Sequence, residues 1–295
     1  MFKRLLQRLL PATEPSSYDE LFVPPGHFYS PVVDREEAQR HLDRLSTQPD
    51  PLQIPGIDPN LAAMRALWAQ LLPYLTSNPF SAQPGAHCRY GFDNPAYAWA
   101  DGSVLHAMLR HYRPRRYLEV GCGWSSACAI DTIEQALDGH CEVTLIDPHF
   151  DLAARLIGQP RTPPTVHRSR VQDVPLETFD ALQANDILFI DSTHVLRTGN
   201  DLCFELFEVL PRLASGVIVH FHDIFWPFEY GREWVIDERR SWNELYALRA
   251  YLMNNGDWNI LFFNDYFRRH EHALIQAQYP TFLRNTGGSL WLQRT

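Results

Sequence analysis

The chain has 295 residues and a formal net charge of −9, and 45% of its residues are hydrophobic. That is enough apolar material for one large packed domain with an appendage, and too much for a disordered chain. The acidic balance argues against a nucleic-acid partner, whose phosphates demand a basic face. Five cysteines, Cys88, Cys122, Cys128, Cys141 and Cys203, form no CxxC pair. They read as buried thiols of a reducing compartment, so the expected location is cytoplasmic.

No apolar run approaches the ~20 residues needed to cross a bilayer. The N-terminus carries a helical stripe of Phe2, Leu5, Leu6, Leu9 and Leu10, with Lys3, Arg4 and Arg8 elsewhere. It has neither an uninterrupted apolar run nor a small-residue cleavage site, which sets it apart from a signal peptide. A helix packing on its own protein or on a second subunit is favoured over one lying on a membrane surface, and a homo-oligomer stays open. Residues 11–60 are rich in proline, interrupted by one helical patch near Asp34 to Leu45. Such a stretch has too little periodic apolar content for its own core. Residues 1–100 are therefore expected to form an N-terminal extension packing over the active-site face, and 101–295 the main domain. Within the extension, Leu61 to Leu75 reads as a helix capped by Asn60, and Asp101 to His111 begins the main domain as another, stopped by Pro114.

From Arg116 the pattern becomes strand, helix, strand. Tyr117 to Val120 is a strand, Ser125 to Leu137 a helix, Glu142 to Ile146 a strand and Leu152 to Ile157 a helix. Thr165 to Arg168 is a weak strand, Leu176 to Leu182 a helix and Asp186 to Ile190 a strand. Leu202 to Leu213 is a helix closed by Ser215-Gly216, and Val217 to Phe221 a strand. Trp242 to Met253 is a helix, Trp258 to Phe263 a strand, and Ser289 to Gln293 a seventh strand. This alternation predicts an α/β fold: a Rossmann-like, seven-stranded, mainly parallel sheet with helices on both faces, preceded by the proline-rich and helical extension. Ligands of such sheets bind beyond the C-terminal ends of the strands. The positions that matter are then Gly121, Asp147, Asp191 and His222-Asp223.

Gly121-Cys-Gly123 sits between the first strand and its helix, where glycine allows a tight turn and close approach of backbone to ligand. A dinucleotide fingerprint would put a third glycine where this chain has Ser126. Glu119, just before the turn, would repel a pyrophosphate and suits a cationic amino-acid headgroup. Asp147, at the end of the second strand, can accept both hydroxyls of a ribose. Asp191 and Asp223 end neighbouring strands in company with His194 and His222. Two carboxylates and an imidazole could hold a divalent cation such as Mg2+, with Asp191 and Asp223 as the ligands. Alternatively His194 or His222 acts as general base, since imidazole titrates near neutral pH. The competing reading is that these groups hydrogen-bond one another. The aromatics Phe221, Phe225, Trp226, Phe228, Tyr230 and Trp234 form either a substrate wall or core, with equal weight.

On these residues Tyr117 to Phe225 resembles the class I S-adenosylmethionine-dependent methyltransferases. More narrowly it is similar to a bacterial methyltransferase family with the strand-end sequences Asp186-Ile-Leu-Phe-Ile-Asp-Ser-Thr-His-Val195 and Val217-Ile-Val-His-Phe-His-Asp-Ile-Phe225. The similarity extends to Phe22-Val-Pro-Pro-Gly-His-Phe-Tyr-Ser30, Gly56-Ile-Asp58 and Ser241-Trp-Asn-Glu-Leu-Tyr-Ala-Leu-Arg-Ala250. The resemblance implies that Glu119, Gly121, Gly123 and Ser125 of the turn hold the methionine part of S-adenosylmethionine. It places Asp147 on the ribose, Asp173 near the adenine, and Asp191 between cofactor and catalysis. Catechol-type relatives carry an aspartate–asparagine pair where this chain has His222-Asp223. The function implied is methyl transfer to oxygen or nitrogen of a small or medium-sized acceptor. An NAD-dependent oxidoreductase and a non-catalytic binding protein on the same fold are the alternatives.

Overall fold

Short β-branched and aromatic runs alternate with longer amphipathic ones, and the chain folds accordingly. The computed structural model describes residues 21–295, so the stripe at Met1–Leu10 lies outside the described residues. Two compact units are present: residues 21–49 with 230–241, and residues 50–229 with 242–295. The smaller unit contains α1 (Arg35–Ser46), capped by the Asp34 carboxylate accepting from the Glu37 amide, and a π-helical turn at Glu233–Asp237. Residues 50–100 thus belong to the same unit as the sheet.

The larger unit begins with α2 (Leu61–Thr76) and α3 (Trp99–Tyr112), then alternates through β1 (Arg116–Val120), α4 (Trp124–Ala136), β2 (Glu142–Ile146), α5 (Asp151–Ile157), β3 (Thr165–His167), α6 (Glu177–Asp180) and β4 (Ile187–Ile190). It continues through α7 (Asp201–Phe204), β5 (Ile218–Phe221), α8 (Glu244–Leu252), β6 (Trp258–Phe263), α9 (Asn264–Gln278) and β7 (Leu290–Arg294). The strand order is β3-β2-β1-β4-β5-β7-β6. All pairs are parallel except β5–β7 and β6–β7. The expected seven-stranded, mainly parallel sheet is therefore the fold. Every residue of β4 and β5 is buried, as the continuous apolar runs Ile187–Ile190 and Ile218–Phe221 require of central parallel strands. From β1 the chain moves outward to β2 and β3, and from β4 outward to β5. The order therefore reverses between β1 and β4, and a crevice opens beyond their C-terminal ends.

Three local departures from the sequence reading have physical reasons. The helix expected over Leu202 to Leu213 breaks into α7, a π-helical stretch Glu205–Val209 and a 3-10 turn Leu210–Arg212. Pro211 has no amide hydrogen and its ring collides with the carbonyl one turn earlier, so a regular helix cannot run through it. Helix α9 was not anticipated; its stretch Arg268-Arg-His-Glu-His272 is polar. Its apolar residues Tyr266, Phe267 and Ile275 are nevertheless buried, and Phe267 packs on Trp68 of α2 at 5.1 Å between ring centroids. Of the aromatics after β5 in the larger unit, all but the half-buried Phe225 belong to the core. Phe221, Trp226 and Phe228 are buried, and Trp226 meets Tyr266 edge-on at 4.9 Å. Trp226 also donates to the Pro51 carbonyl at 2.8 Å, which fixes residues 50–57 against the loop that follows β5. Among the described residues no helix is long and apolar enough to cross a membrane.

One carboxylate registers the two strands that flank the crevice. Buried Asp186, just before β4, accepts from the Arg115 and Arg116 amides at the start of β1 (2.9 and 2.8 Å) and from the Gln183 amide (2.9 Å). Asp186→Ala leaves three donors without an acceptor and should destabilise the fold by about 2–4 kcal/mol. Urea unfolding at constant m-value is the check; a loss under about 0.5 kcal/mol, the range of an ordinary surface substitution, would contradict it.

Candidate active site

The turn after β1 is forced by packing. Gly121 has φ +79°, and a Cβ built there would lie 1.8 Å from the Asp191 carbonyl oxygen, so only glycine lets β1 and β4 close at this point. Gly123 differs: its φ of −171° is extended backbone and a Cβ there would meet nothing within 4 Å. Beyond the turn, the Asp147 carboxylate accepts from the Cys122 amide at 2.9 Å and from the His149 amide at 2.6 Å. These groups border a cleft of about 510 Å³, whose walls include Gly121, Asp147, Gln172, Asp191 and Asn200. That volume suits a drug-sized ligand or cofactor.

Not every expected cofactor contact reaches this cleft. Asp147, Asp191 and Gly121 do. Glu119 is fully buried beneath the turn instead, accepting from Ser125 Oγ (2.6 Å), Ser126 Oγ (2.9 Å) and Tyr117 Oη (3.0 Å). Ser125 is occupied in that same contact and is buried too. Both support the turn from below without lining the cleft. Asp173 is exposed and paired with Arg170 at 3.0 Å, while its neighbours Val171 and Gln172 face the cleft.

The strand ends of β4 and β5 bring Asp191, His194, His222 and Asp223 together. His194 Nε2 lies 3.4 Å from Asp191 Oδ1 and 3.6 Å from Asp223 Oδ2. His222 Nδ1 lies 3.5 Å from Asp191 Oδ1 and 3.5 Å from Asp223 Oδ1. Each imidazole therefore faces the same two carboxylates. Each also has a carboxylate of its own behind it: His194 Nδ1 donates to Glu244 Oε2 at 2.6 Å, and His222 Nε2 to Asp101 Oδ2 at 3.2 Å. His194 and Asp223 both have φ +61°, a conformation rare for residues with a Cβ and one that surrounding contacts must enforce.

Asp101, Glu244 and the loop before β7 are the parts that sequence reasoning missed. Asp101 lies inside α3, 121 residues from His222. It accepts from Ser289 Oγ (2.5 Å) and Asn264 Nδ2 (3.1 Å). Gly287 and Gly288 make room for this arrangement. A Cβ on Gly287 would fall 1.7 Å from Asp101 Oδ2, and one on Gly288 would fall 2.8 Å from Asp223 Cα. A Gly-Gly pair before a strand was the available signal.

The electrostatics follow from burial and proximity. Burial works against charge on both imidazoles, but the surrounding carboxylates win: Asp191 and Glu244 hold the His194 proton, and Asp223, Asp191 and Asp101 hold that of His222, both well above imidazole's usual range. Burial likewise opposes ionisation of Asp191, but His222 and His194 pull it well below the usual carboxylate range. Burial pushes Asp223 and Glu244 up. Glu205, in the π-helical stretch, is pushed well above its normal value by burial and then by Glu244 and Asp201; its Oε2 accepts from Ser192 Oγ at 3.0 Å and its Oε1 has no hydrogen-bond partner among the described residues. Asp191, His194 and Asp223 each present one ligand atom, all within 4.8 Å of one another.

Comparison with known proteins gives the class first. Residues 118–224 match the family model described as a methyltransferase domain. The chain therefore carries a methyltransferase domain and is an enzyme. An uncharacterized protein of Archaeoglobus fulgidus is 30% identical over 176 residues, 56% of this chain and 75% of its own length, and the chain belongs to the same family as that protein. Solved structures with similarity include the O-methyltransferase TomG from Streptomyces achromogenes in complex with SAM, at 15% identity and TM-score 0.44, covering 89% of this chain and 99% of that one. A methyltransferase from Geobacter sulfurreducens matches at 17% identity and TM-score 0.36, over 88% of this chain and 96% of that one. The structure described as cmcI-D160 Mg-SAM matches at 16% identity and TM-score 0.36, over 68% and 72%.

Glu119 supplies a pH prediction. Burial pushes its carboxyl from 4.5 up to about 8, against the pull of three hydroxyl donors. Below 4.5 the group is neutral in both folded and unfolded chains and contributes no pH dependence. Between 4.5 and about 8 the unfolded chain gives up the proton while the folded chain keeps it, so the folded state binds more protons and stability falls as pH rises. Glu119→Gln should flatten that part of the profile relative to wild type. Urea midpoints at pH 5 to 8 that decline equally in both proteins would contradict the assignment.

Proposed function

We propose that the chain transfers the methyl group of S-adenosylmethionine to an oxygen or nitrogen of a small or medium-sized acceptor. The supporting observation is a cleft at the β1/β4 switch point with Asp147 on its wall and Asp191 shared with the Asp191–His194–His222–Asp223 cluster. Asp147 would take the ribose hydroxyls, and the Cys122 and His149 amides that donate to its carboxylate support this reading. Gly121 on the cleft wall would border the aminoacyl part, and Gln172 the base. Glu119 and Ser125 serve this site by supporting the turn from beneath.

Asp191, His194 and Asp223 fit a divalent cation. The cluster contains four carboxylates and two imidazoles, so two negative charges stay unbalanced even with both rings protonated. A buried imbalance of that kind is relieved by protonation or by a bound cation. The set also differs from the expected pair Asp191 and Asp223 by including an imidazole nitrogen. An imidazole nitrogen makes the set less suited to Mg2+, which takes oxygen ligands almost exclusively, than to a first-row transition ion such as Mn2+, which accepts nitrogen beside carboxylate oxygen. When bound, such a cation would lower an acceptor hydroxyl's pKa and orient it.

His222 is the residue left to receive the acceptor's proton. As an imidazolium it could not do so. Part of the charge that retains this proton would be offset by a cation held by Asp191 and Asp223, and His222 Nδ1 would then be able to act as the base. Methyl transfer from a sulfonium needs little covalent help, so positioning and proton removal are the protein's contribution.

Calorimetry with S-adenosylhomocysteine tests the cofactor assignment. The wild type should bind it and not NADH, and Asp147→Ala should weaken binding roughly 10–100-fold through loss of a charged acceptor. NADH binding, or unchanged affinity in the variant, would overturn the reading. A panel of small phenols and amines assayed by S-adenosylhomocysteine release tests the base. His222→Asn should lower kcat by roughly 10²–10⁴ with cofactor affinity retained, and full activity in that variant would remove His222 from the chemistry.

A further inference from the structure

The segment Trp242-Asn243-Glu244, at the start of α8, lies outside the matched domain. All three of its residues converge on His194. The Trp242 ring lies against the imidazole at 4.2 Å between centroids. The Asn243 and Glu244 amides donate to the His194 carbonyl at 3.1 and 3.2 Å. Asn243 Oδ1 accepts from the Leu196 amide at 2.6 Å, tying down the residues just beyond. The Glu244 carboxylate accepts from Nδ1 at 2.6 Å.

We propose that Trp242, Asn243 and Glu244 form a clamp that positions His194 as an Nε2 metal ligand, with Glu244 as its principal member. This rests on the cation site proposed above. The hydrogen bond from Nδ1–H to Glu244 leaves Nε2 facing Asp191 and Asp223, and a bound cation would take the place of the proton on that nitrogen. The carboxylate behind the ring also makes that nitrogen a stronger donor. The two backbone bonds hold His194 at φ +61°, a conformation it would not keep unaided. His222 has a partner of the same kind in Asp101, and its Nδ1 lies 3.5 Å from each of Asp191 and Asp223, but the three ligand atoms that lie within 4.8 Å of one another are those of Asp191, His194 and Asp223. The paired carboxylates thus assign the two histidines to different duties. Glu244 serves the ligand and Asp101 the base.

Asp101 also supplies a charge-matched control, because Glu244→Gln and Asp101→Asn each remove one carboxylate from the cluster. Mn2+ is titrated into the full chain and free ion is read by electron paramagnetic resonance. Folding of each variant is checked by its thermal transition. Glu244→Gln should weaken Mn2+ binding roughly 10–100-fold, as loss of an outer-shell partner does. Asp101→Asn should weaken it by no more than about threefold. Trp242→Leu, which leaves the charge unchanged, should weaken Mn2+ in the same direction as Glu244→Gln. Pulsed spectra of the wild-type complex should show a directly bound imidazole nitrogen whose coupling falls or disappears in Glu244→Gln. Equal losses in Glu244→Gln and Asp101→Asn, with Trp242→Leu unchanged, would reduce the effect to charge and overturn the clamp. Failure of the wild type to bind Mn2+ would instead overturn the cation site itself, and the two failures are distinct.

Discussion

Two carboxylates, Asp191 and Asp223, face two imidazoles across the ends of adjacent parallel strands, and the rest of the site is built to keep them there. Neither histidine could sit so close to both carboxylates without help, because each would turn towards whichever partner is nearer. Glu244 and Asp101 remove that freedom by engaging the far nitrogen of each ring. The outcome is a fixed, charged, largely buried cluster at one end of the cleft, and burial makes the electrostatic interactions within it stronger than in water.

The sheet makes this possible. Parallel pairing of β1 with β4 and of β4 with β5 brings three strand ends to one edge, and the Asp186 carboxylate ties the start of β4 to the start of β1. Gly121 then lets β1 turn directly over the Asp191 carbonyl. On the opposite side, antiparallel β7 pairs with β5 and delivers Gly287, Gly288 and Ser289 to the back of the cluster, where two glycines admit Asp101 and Asp223. Burial, turn and charge reinforce one another. The strain at His194 and Asp223 is held by contacts from α8 and from the loop before β7.

Much of this was legible in the sequence for a physical reason. Largely apolar runs such as Ile187 to Ile190 and Val217 to Phe221, the latter broken only by His220, read as central strands, and chemistry-bearing residues just beyond them share an edge. That logic found Gly121, Asp147, Asp191, His194, His222 and Asp223. It did not find Asp101 or Glu244, which lie inside helices and reach the site only through tertiary packing over 121 and 50 residues of chain. The expectation that Glu119 holds the cofactor's aminoacyl part came from its charge before the turn and from the resemblance, and neither says what the side chain meets in the fold. Three hydroxyls meet it first. Helix α9 escaped because its polar stretch hid the apolar positions that bury Tyr266 and Phe267. The Met1–Leu10 stripe is outside the described residues.

The most direct test of this account is a crystal structure of the full chain with S-adenosylhomocysteine and Mn2+, with data collected to reveal the metal's anomalous scattering. The account predicts one strong peak bound by Asp191, His194 Nε2 and Asp223, with Glu244 still on His194 Nδ1. It also predicts the ribose on Asp147 and the cofactor sulfur at the Asp191 end of the cleft. A peak bound instead by His222 and Asp101, or no peak together with a ligand lying away from Asp147, would contradict it.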